Sequence, residues 1–228
     1  MKKVNTLILT FMLSFLGLTT INAQDWADLK HFEEANAEVP AADDEDRVVF
    51  MGNSITIGWL NKHPEFFEGK SYINRGISGQ TTPQMLIRFR QDVINLHPKV
   101  VTILAGTNDI AGNTGVSTLA MIMDNIKGMA ELAQANGIKV ILSSTLPAYD
   151  YPWKPGLEPS GKIIELNKMI KEYADSKGHI YLDYFSAMVD ERNGLPKKYA
   201  LDEVHPTVEG YKVMEPLVEA AIAEALNN

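Results

Sequence analysis

The sequence contains no cysteine, and this absence limits how the protein can be stabilised. Without thiols the chain forms no disulfides and offers no thiolate ligands to a metal ion. A lipid anchor on an N-terminal cysteine is not expected for the same reason. We therefore expect stability to come from a packed hydrophobic core, for which 228 residues are sufficient.

Basic residues are also scarce, with 21 Lys and Arg against 29 Asp and Glu. Nucleic acid is bound through basic surfaces, so it is not an expected partner. The acidic run at 43–46 lacks the alternating oxygen ligands and the glycine of a calcium loop. It is predicted to be a solvated linker.

The apolar run at residues 7–18 falls well short of the roughly 20 residues that a membrane-spanning helix needs. It follows Lys2 and Lys3 and ends near Ala23, the charged, apolar, small-residue order of a secretory signal peptide. We predict cleavage at or near Ala23. The mature chain is expected to be secreted or periplasmic, without stable insertion in a membrane.

Removing 23 of the 228 residues leaves 205, which suits one domain. We predict a signal peptide at 1–23, an N-terminal segment with the acidic linker at 24–46, and one folded domain at 47–228. In that domain, short β-branched runs alternate with longer amphipathic stretches, which predicts a parallel sheet with helices on both faces. The fold class is therefore α/β, a three-layer, flavodoxin-like arrangement. Five strands are predicted, at 47–51, 71–74, 100–105, 139–143 and 179–182.

Local signals mark the helix ends. For the helix after the second strand, Thr82 is predicted to cap, Pro83 to occupy the first helical position and Pro98 to stop it. The last helix is predicted at 207–226, where Pro216 should kink or interrupt it.

Polar blocks follow the ends of the predicted strands. In open parallel sheets, ligands bind outside the carboxyl ends of the strands, so these blocks should meet at one rim. They read Gly-Asn-Ser-Ile-Thr at 52–56, Asn-Arg-Gly-Ile-Ser-Gly-Gln-Thr-Thr at 74–82, Gly-Thr-Asn-Asp at 106–109 and Asp-Glu-Val-His-Pro at 202–206.

The blocks resemble those of the SGNH, or GDSL-like, hydrolases, a family of lipases and acylhydrolases. That family is defined by a serine, a glycine, an asparagine and a histidine in successive blocks, with an aspartate three residues before the histidine. The matching residues are Ser54, Gly79, Asn108, His205 and Asp202. The resemblance covers nearly all of the mature chain and implies the SGNH hydrolase fold.

One feature of the first block departs from the family's pattern, and a second disfavours a different class of serine hydrolase. The family's common block has Asp before the serine, whereas this chain has Asn53. Position 56 is threonine, so the Gly-x-Ser-x-Gly elbow of the α/β-hydrolases is absent.

A serine hydroxyl becomes nucleophilic when an imidazole accepts its proton and a carboxylate orients that imidazole. The resemblance implies a triad of Ser54, His205 and Asp202. It also implies an oxyanion hole formed by the backbone N–H groups of Ser54 and Gly79 and the side-chain amide of Asn108. The alternative for Asn108 is a turn residue. Asp109 is predicted to be a structural cap.

Neither a metal nor a cofactor is expected. The remaining histidines are widely spaced and include no pair at the spacing of His-Glu-x-x-His, which disfavours a zinc-dependent deacetylase. These histidines are His31, His63, His97 and His179. Two roles are predicted for Arg75, contact with the substrate or an ion pair on the surface.

A loop at 147–156 is rich in aromatic and rigid residues and should lean over the same rim. Tyr149, Tyr151 and Trp153, joined by Trp59, are candidates for stacking on sugar rings or lining an acyl pocket. The alternative is that they only pack the loop. We expect a secreted serine esterase, an acetylesterase that removes short acyl groups, above all O-acetyl, from small-molecule or carbohydrate esters.

Two alternatives stay open. The same triad could serve a lysophospholipase or thioesterase acting on longer acyl chains. A non-catalytic flavodoxin-like binding module is the other, although such a module has no need of Ser54, Asp202 and His205 together. The sequence leaves the oligomeric state open.

Overall fold

The computed structural model of the protein describes residues 25–40 and 46–228. It confirms the predicted α/β class, with five strands in the order β2-β1-β3-β4-β5 and every neighbouring pair parallel. The strands are β1 (Val48–Gly52), β2 (Tyr72–Gly76), β3 (Val100–Ile103), β4 (Lys139–Ser143) and β5 (Ile180–Leu182). The predicted signal peptide at 1–23, and most of the acidic run, lie outside the described residues.

The helices lie on both faces of the sheet. They are α1 (Glu33–Ala37), α2 (Ser54–Lys62), α3 (Thr82–Asp92), α4 (Thr107–Ile110), α5 (Leu119–Ala135), α6 (Ser160–Lys177), α7 (Tyr184–Met188) and α8 (Val208–Asn227). Within the described part of the chain, no helix combines the length and apolarity needed to cross a bilayer.

Alternate side chains of the central strands pack into two separate hydrophobic cores, because successive side chains of a strand point to opposite faces of the sheet. Val49 and Met51 of β1 pack in one core with residues of α3, α5 and α6. Val48 and Phe50 pack in the other with residues of α2, α7 and α8. Because both faces are covered, β1 is buried along its whole length. In open parallel sheets, ligands bind at the rim formed by the carboxyl ends of the strands.

The structure differs from the sequence predictions at two helices. The N-cap of α3 is Thr81, one residue earlier than predicted, because Thr81 and Gln84 form a reciprocal capping box. The same helix ends at Asp92 and is followed by a 3₁₀ turn, Ile94–Leu96, instead of continuing towards Pro98. α8 runs through Pro216 without a break.

Residues 25–40 form an arm, hereafter the N-terminal arm, that lies along α3. Its Phe32 is buried, and its short helix α1 brings Asn36 to Asp92 on α3, with Nδ2 donating to Oδ1 at 2.7 Å. At the end of the linker, Asp46 forms an exposed ion pair with Lys99. The arm is therefore a packed part of the structure where it is described.

Candidate active site

Ser54 is the first residue of α2, and Asn53 alone separates it from the end of β1. Asn53 is buried and caps the helix, since its Oδ1 accepts a hydrogen bond from the Ile55 N–H. This cap explains how an amide serves at the position where the family commonly has Asp. Among the described residues, the N–H of Ser54 has no hydrogen-bond acceptor, as is usual in the first turn of a helix.

His205 and Asp202 lie in the loop before α8 and complete a chain of hydrogen bonds with Ser54. The Nε2 atom of His205 lies 2.9 Å from the Ser54 Oγ atom, and Nδ1 lies 2.7 Å from the Asp202 Oδ2 atom. Because Nδ1 donates to the carboxylate, Nε2 is the acceptor for the serine hydroxyl. The predicted residues are thus brought together in the predicted order.

Asp202 is held by its own loop. Its Oδ1 atom accepts hydrogen bonds from the N–H groups of Val204 and His205, at 3.0 and 2.7 Å. Partial burial raises the pKa of Asp202, but these bonds and the His205 ring outweigh it and hold the pKa below its usual value. The carboxylate therefore stays ionised where it orients the imidazole.

Gly79 and Asn108 lie in the loops after β2 and β3. Gly79 has φ +77°, which favours glycine, and its N–H has no acceptor among the described residues. Asn108 is buried, and its Nδ2 donates one hydrogen bond to the Gln80 carbonyl at 2.9 Å. In the described part of the chain, its second amide hydrogen has no acceptor. Gly106 directs the chain into α4 with a φ of +107°. A Cβ at this position would clash with the side chain of Leu166.

Asp109 is confirmed as a structural cap. Both of its carboxylate oxygens lie 3.0 Å from the N–H of Thr82, and Oδ1 accepts a 2.6 Å hydrogen bond from the Thr82 hydroxyl. Burial raises the pKa of Asp109 to about 6, although the bonds from Thr82 oppose the shift. Asp109 therefore ties the Asn108 loop to the start of α3.

The loop at 147–156 does lean over the rim, but its aromatic residues differ in exposure. Trp153 is 40% exposed, and its ring centroid lies 6.0 Å from that of His205. Tyr151 is only 1% exposed; it stacks beneath Trp153 and its hydroxyl lies 2.8 Å from the Thr107 hydroxyl. Tyr149 is exposed and lies against the Arg192 guanidinium. Of the three aromatic side chains in this loop, Trp153 is therefore the one that is exposed beside His205.

The structure contradicts the sequence predictions for two residues, Trp59 and Arg75. Trp59 is 2% exposed and stacks between Phe66 and Tyr211 in the core, so it is not placed to contact a substrate at the rim. Arg75 is neither a surface ion pair nor open to the rim. It is buried, and its Nε donates to Asn36 of the N-terminal arm at 2.8 Å.

Sequence reasoning did not single out Gln80 or Arg88, two buried polar residues that contact the loops of the site. In the sequence, Gln80 is one residue of the second block with no motif of its own. Arg88 is a charged residue on α3, and such residues are almost never fully buried unless they are paired. Within residues 25–40 and 46–228, no cluster of three or more His, Asp or Glu side chains is arranged to hold a metal ion.

A family model described as the GDSL-like lipase/acylhydrolase family matches residues 50–213. Among solved structures, a candidate acylhydrolase from Bacteroides fragilis is 51% identical, with a TM-score of 0.87. The alignment covers 89% of this chain and 99% of that one. The match therefore extends over almost the whole of the described structure.

Two curated relatives are more distant. An uncharacterized lipoprotein of Bacillus subtilis is 38% identical over 79 residues, which are 33% of this chain and 32% of that protein. The chain thus matches about a third of the lipoprotein's length. An acetylxylan esterase of Geobacillus stearothermophilus is 23% identical over 157 residues, 67% of this chain and 71% of the esterase.

Proposed function

The chain belongs to the GDSL-like lipase/acylhydrolase family of carboxylic ester hydrolases, and from that premise we propose that it is a serine esterase with Ser54 as nucleophile. The observation that carries the proposal is the continuous hydrogen-bond chain from the Ser54 hydroxyl through His205 to Asp202, at 2.9 and 2.7 Å. Nucleophile, base and orienting carboxylate each have a partner in reach.

Acylation begins when the Ser54 Oγ attacks the carbonyl carbon of the ester and its proton passes to the His205 Nε2. Asp202 holds the ring by its Nδ1–H and stabilises the imidazolium that forms. His205 then donates the same proton to the oxygen of the departing alcohol. The C–O bond of the substrate breaks, and an acyl-Ser54 ester remains.

The tetrahedral intermediate carries its negative charge on the former carbonyl oxygen. The N–H groups of Ser54 and Gly79 and the second amide hydrogen of Asn108 are the donors proposed for this oxygen. Donors fixed before the reaction lower the barrier because they need no reorganisation as the charge develops. The hydrogen bond from the Asn108 amide to the Gln80 carbonyl fixes the orientation of the Asn108 side chain.

Deacylation repeats the steps with water. His205 takes a proton from the water as its oxygen attacks the acyl carbon, and then returns that proton to the Ser54 Oγ as the C–O bond to serine breaks. The carboxylic acid leaves and the enzyme is restored. Every proton in the cycle passes through the Nε2 atom of His205.

The proposed acyl group is short, with acetyl preferred. Ser54 lies at an open rim, and the chain offers no long apolar insertion beside the four blocks from which to build a tunnel for a lipid tail. The similarity to an acetylxylan esterase supports the same choice. If kcat/KM rises along a series of esters of increasing acyl length, the enzyme is instead a lysophospholipase or thioesterase that acts on longer acyl chains.

The proposed alcohol component is a carbohydrate. Since His205 protonates the departing oxygen, the alcohol must lie on the histidine side of the site, where the exposed ring of Trp153 is found. A flat aromatic face suits the apolar face of a sugar ring. Beside it, a groove of about 250 Å³ lies between the aromatic loop and Asp202, with Pro152, Pro155 and Lys197 in its walls.

We further propose that the protein is exported. The order of Lys2, Lys3 and the apolar run at 7–18 supports a signal peptide cleaved near Ala23. Polymeric acetylated carbohydrates are found outside the cell, so export agrees with the proposed substrate. Sequencing the N-terminus of the protein from culture medium tests this part; an intact Met1 on protein retained in the cell would refute it.

The direct test of the proposed function compares the wild-type enzyme with Ser54→Ala on 4-nitrophenyl acetate and on an acetylated xylooligosaccharide. The wild type should release acetate from both, and Ser54→Ala from neither. Activity on 4-nitrophenyl acetate alone would support the esterase activity and refute the carbohydrate substrate. Full activity in the variant would refute the nucleophile.

A further inference from the structure

The N-terminal arm precedes the segment that the family model matches, which begins at residue 50. Even so, its main chain is bound along α3 and the loop before it. The carbonyl of Trp26 accepts from the Gln84 amide at 2.6 Å, and that of Ala27 accepts from the Gln80 amide at 2.8 Å. The carbonyl of Leu29 accepts from the Gln91 amide. The first two of these contacts are made next to the loop that carries Gly79.

Gln80 joins the arm to two of the proposed oxyanion donors. It directly follows Gly79 in the chain, and its main-chain carbonyl accepts the hydrogen bond from the Asn108 amide. Its side chain is 3% exposed and is held at both ends, by the Ala27 carbonyl at 2.8 Å and by the Arg88 Nε at 2.5 Å. A shift of Gln80 would therefore move Gly79 and release Asn108 together.

Arg88 extends this connection to the nucleophile. Its guanidinium is fully buried and donates to the carbonyls of Gly52 and Arg75, at 3.0 and 2.9 Å. Gly52 lies two residues before Ser54, and Arg75 lies four before Gly79. Arg88 therefore fixes the ends of two strands whose loops carry proposed donors.

The arm also completes the surroundings of Arg88. The guanidinium pairs with Asp92 at 3.0 Å, and Asp92 in turn accepts the 2.7 Å hydrogen bond from Asn36 of the arm. The ring of Phe32 covers the guanidinium of Arg75 at 4.7 Å and that of Arg88 at 5.9 Å. By excluding water, the arm keeps these buried charges paired in one arrangement.

We propose that Gln80 is a positioning residue of the oxyanion hole, and that the N-terminal arm fixes the hole through it. The proposal rests on the function proposed above. An oxyanion hole acts through donors that are fixed in advance, and a displacement of about 1 Å can lower a rate about 100-fold. The arm is then a catalytic accessory that precedes the segment matched by the family model.

The test compares Gln80→Ala with Gln91→Ala on 4-nitrophenyl acetate. Each variant removes one side-chain hydrogen bond to the arm, but only Gln80 contacts the donor loops, so Gln91→Ala is the matched control. For Gln80→Ala we expect kcat to fall about 10- to 100-fold, with KM within about twofold of wild type. Gln91→Ala should keep kcat within about twofold.

A second readout separates positioning from general loss of structure. Methylboronic acid forms a tetrahedral adduct with a serine oxygen, so its inhibition constant reports on the oxyanion hole. That constant should rise in Gln80→Ala by the same factor as kcat falls. If the alanine variant does not fold, Gln80→Met keeps the buried volume, and the same losses are expected from it.

Failure of the positioning role can be distinguished from failure of the proposed function. If Ser54→Ala is inactive while Gln80→Ala or Gln80→Met keeps wild-type kcat and boronate affinity, the positioning role is refuted and the esterase stands. Equal losses in the Gln80 and Gln91 variants would refute it as well, because they would show a general effect of loosening the arm. Activity in Ser54→Ala would refute the proposed function itself.

Discussion

The Nε2 atom of His205 lies 2.9 Å from the hydroxyl oxygen of Ser54, although 151 positions separate the two residues in the chain. Ser54 begins the first helix after β1, and His205 precedes the last helix, so the contact depends on the whole sheet. Any change that disturbs the packing of α2 against α8 should therefore reduce activity before it abolishes folding.

Asn108→Ala tests the proposed oxyanion hole. Loss of one such donor typically lowers kcat by about 100- to 1,000-fold, and this variant should approach that loss with a smaller change in KM. Steady-state kinetics on 4-nitrophenyl acetate and a thermal melt should be measured together. Near-native turnover with a much lower melting temperature would instead assign Asn108 as a turn residue.

Trp153→Ala tests the proposed carbohydrate contact. Loss of an aromatic contact of about 1 kcal/mol should raise KM for an acetylated xylooligosaccharide about fivefold, and more than KM for 4-nitrophenyl acetate. Trp153→Phe retains an aromatic face and serves as the control, with a smaller increase. Equal effects of Trp153→Ala on both substrates would show that the ring only packs the loop over Tyr151.

Asp109 gives the protein a specific dependence of stability on pH. Burial raises its pKa from 3.8 to about 6, so the folded state keeps this proton at pH values where the unfolded state has lost it. The stability contributed by the group is fully present below about pH 4 and is lost as the pH rises through about 6. At about 1.4 kcal/mol per pKa unit, the loss is on the order of 3 kcal/mol.

Asp109→Asn removes this titration and keeps the size of the side chain. Between about pH 4 and 7, the free energy of unfolding of the wild type should fall relative to that of Asp109→Asn. Urea unfolding of both proteins across that range measures the difference. A constant difference would show that folding does not raise the pKa of Asp109.

Acyl length tests the proposed preference for acetyl. A true acyl pocket gains about 0.8 kcal/mol per buried methylene, which would raise kcat/KM several-fold for each added carbon. For an open site, we expect kcat/KM to fall from acetyl through butyryl to octanoyl esters of 4-nitrophenol. A steady rise to octanoyl would favour a lipid-directed enzyme with the same triad.

Much of the fold could be predicted from the sequence because its signals are local. The alternation of short β-branched runs with amphipathic stretches predicted five strands, and the last helix, predicted at 207–226, is observed at Val208–Asn227. The family blocks predicted which residues meet at the rim. In contrast, Trp59 was misread from its closeness to Ser54, although its spacing of four from the buried Ile55 indicates the inner face of α2.

The contacts around Gln80 could not be predicted in this way. Its bond to the Ala27 carbonyl joins residues 53 positions apart and uses a main-chain acceptor, which has no sequence signature. The burial of Arg75 depends on the same arm, through Asn36 and Phe32. Such contacts are settled by how the arm packs on α3, and not by any periodic pattern.

Active-site labelling tests most directly whether Ser54 is the nucleophile of an esterase. A fluorophosphonate probe should react with the wild-type protein, and peptide mapping should find the adduct on the Ser54 oxygen. Ser54→Ala should fold normally, fail to react and hydrolyse no ester, because the change removes one oxygen from a half-buried position at the rim. Labelling at another residue, with ester hydrolysis retained in Ser54→Ala, would contradict the account.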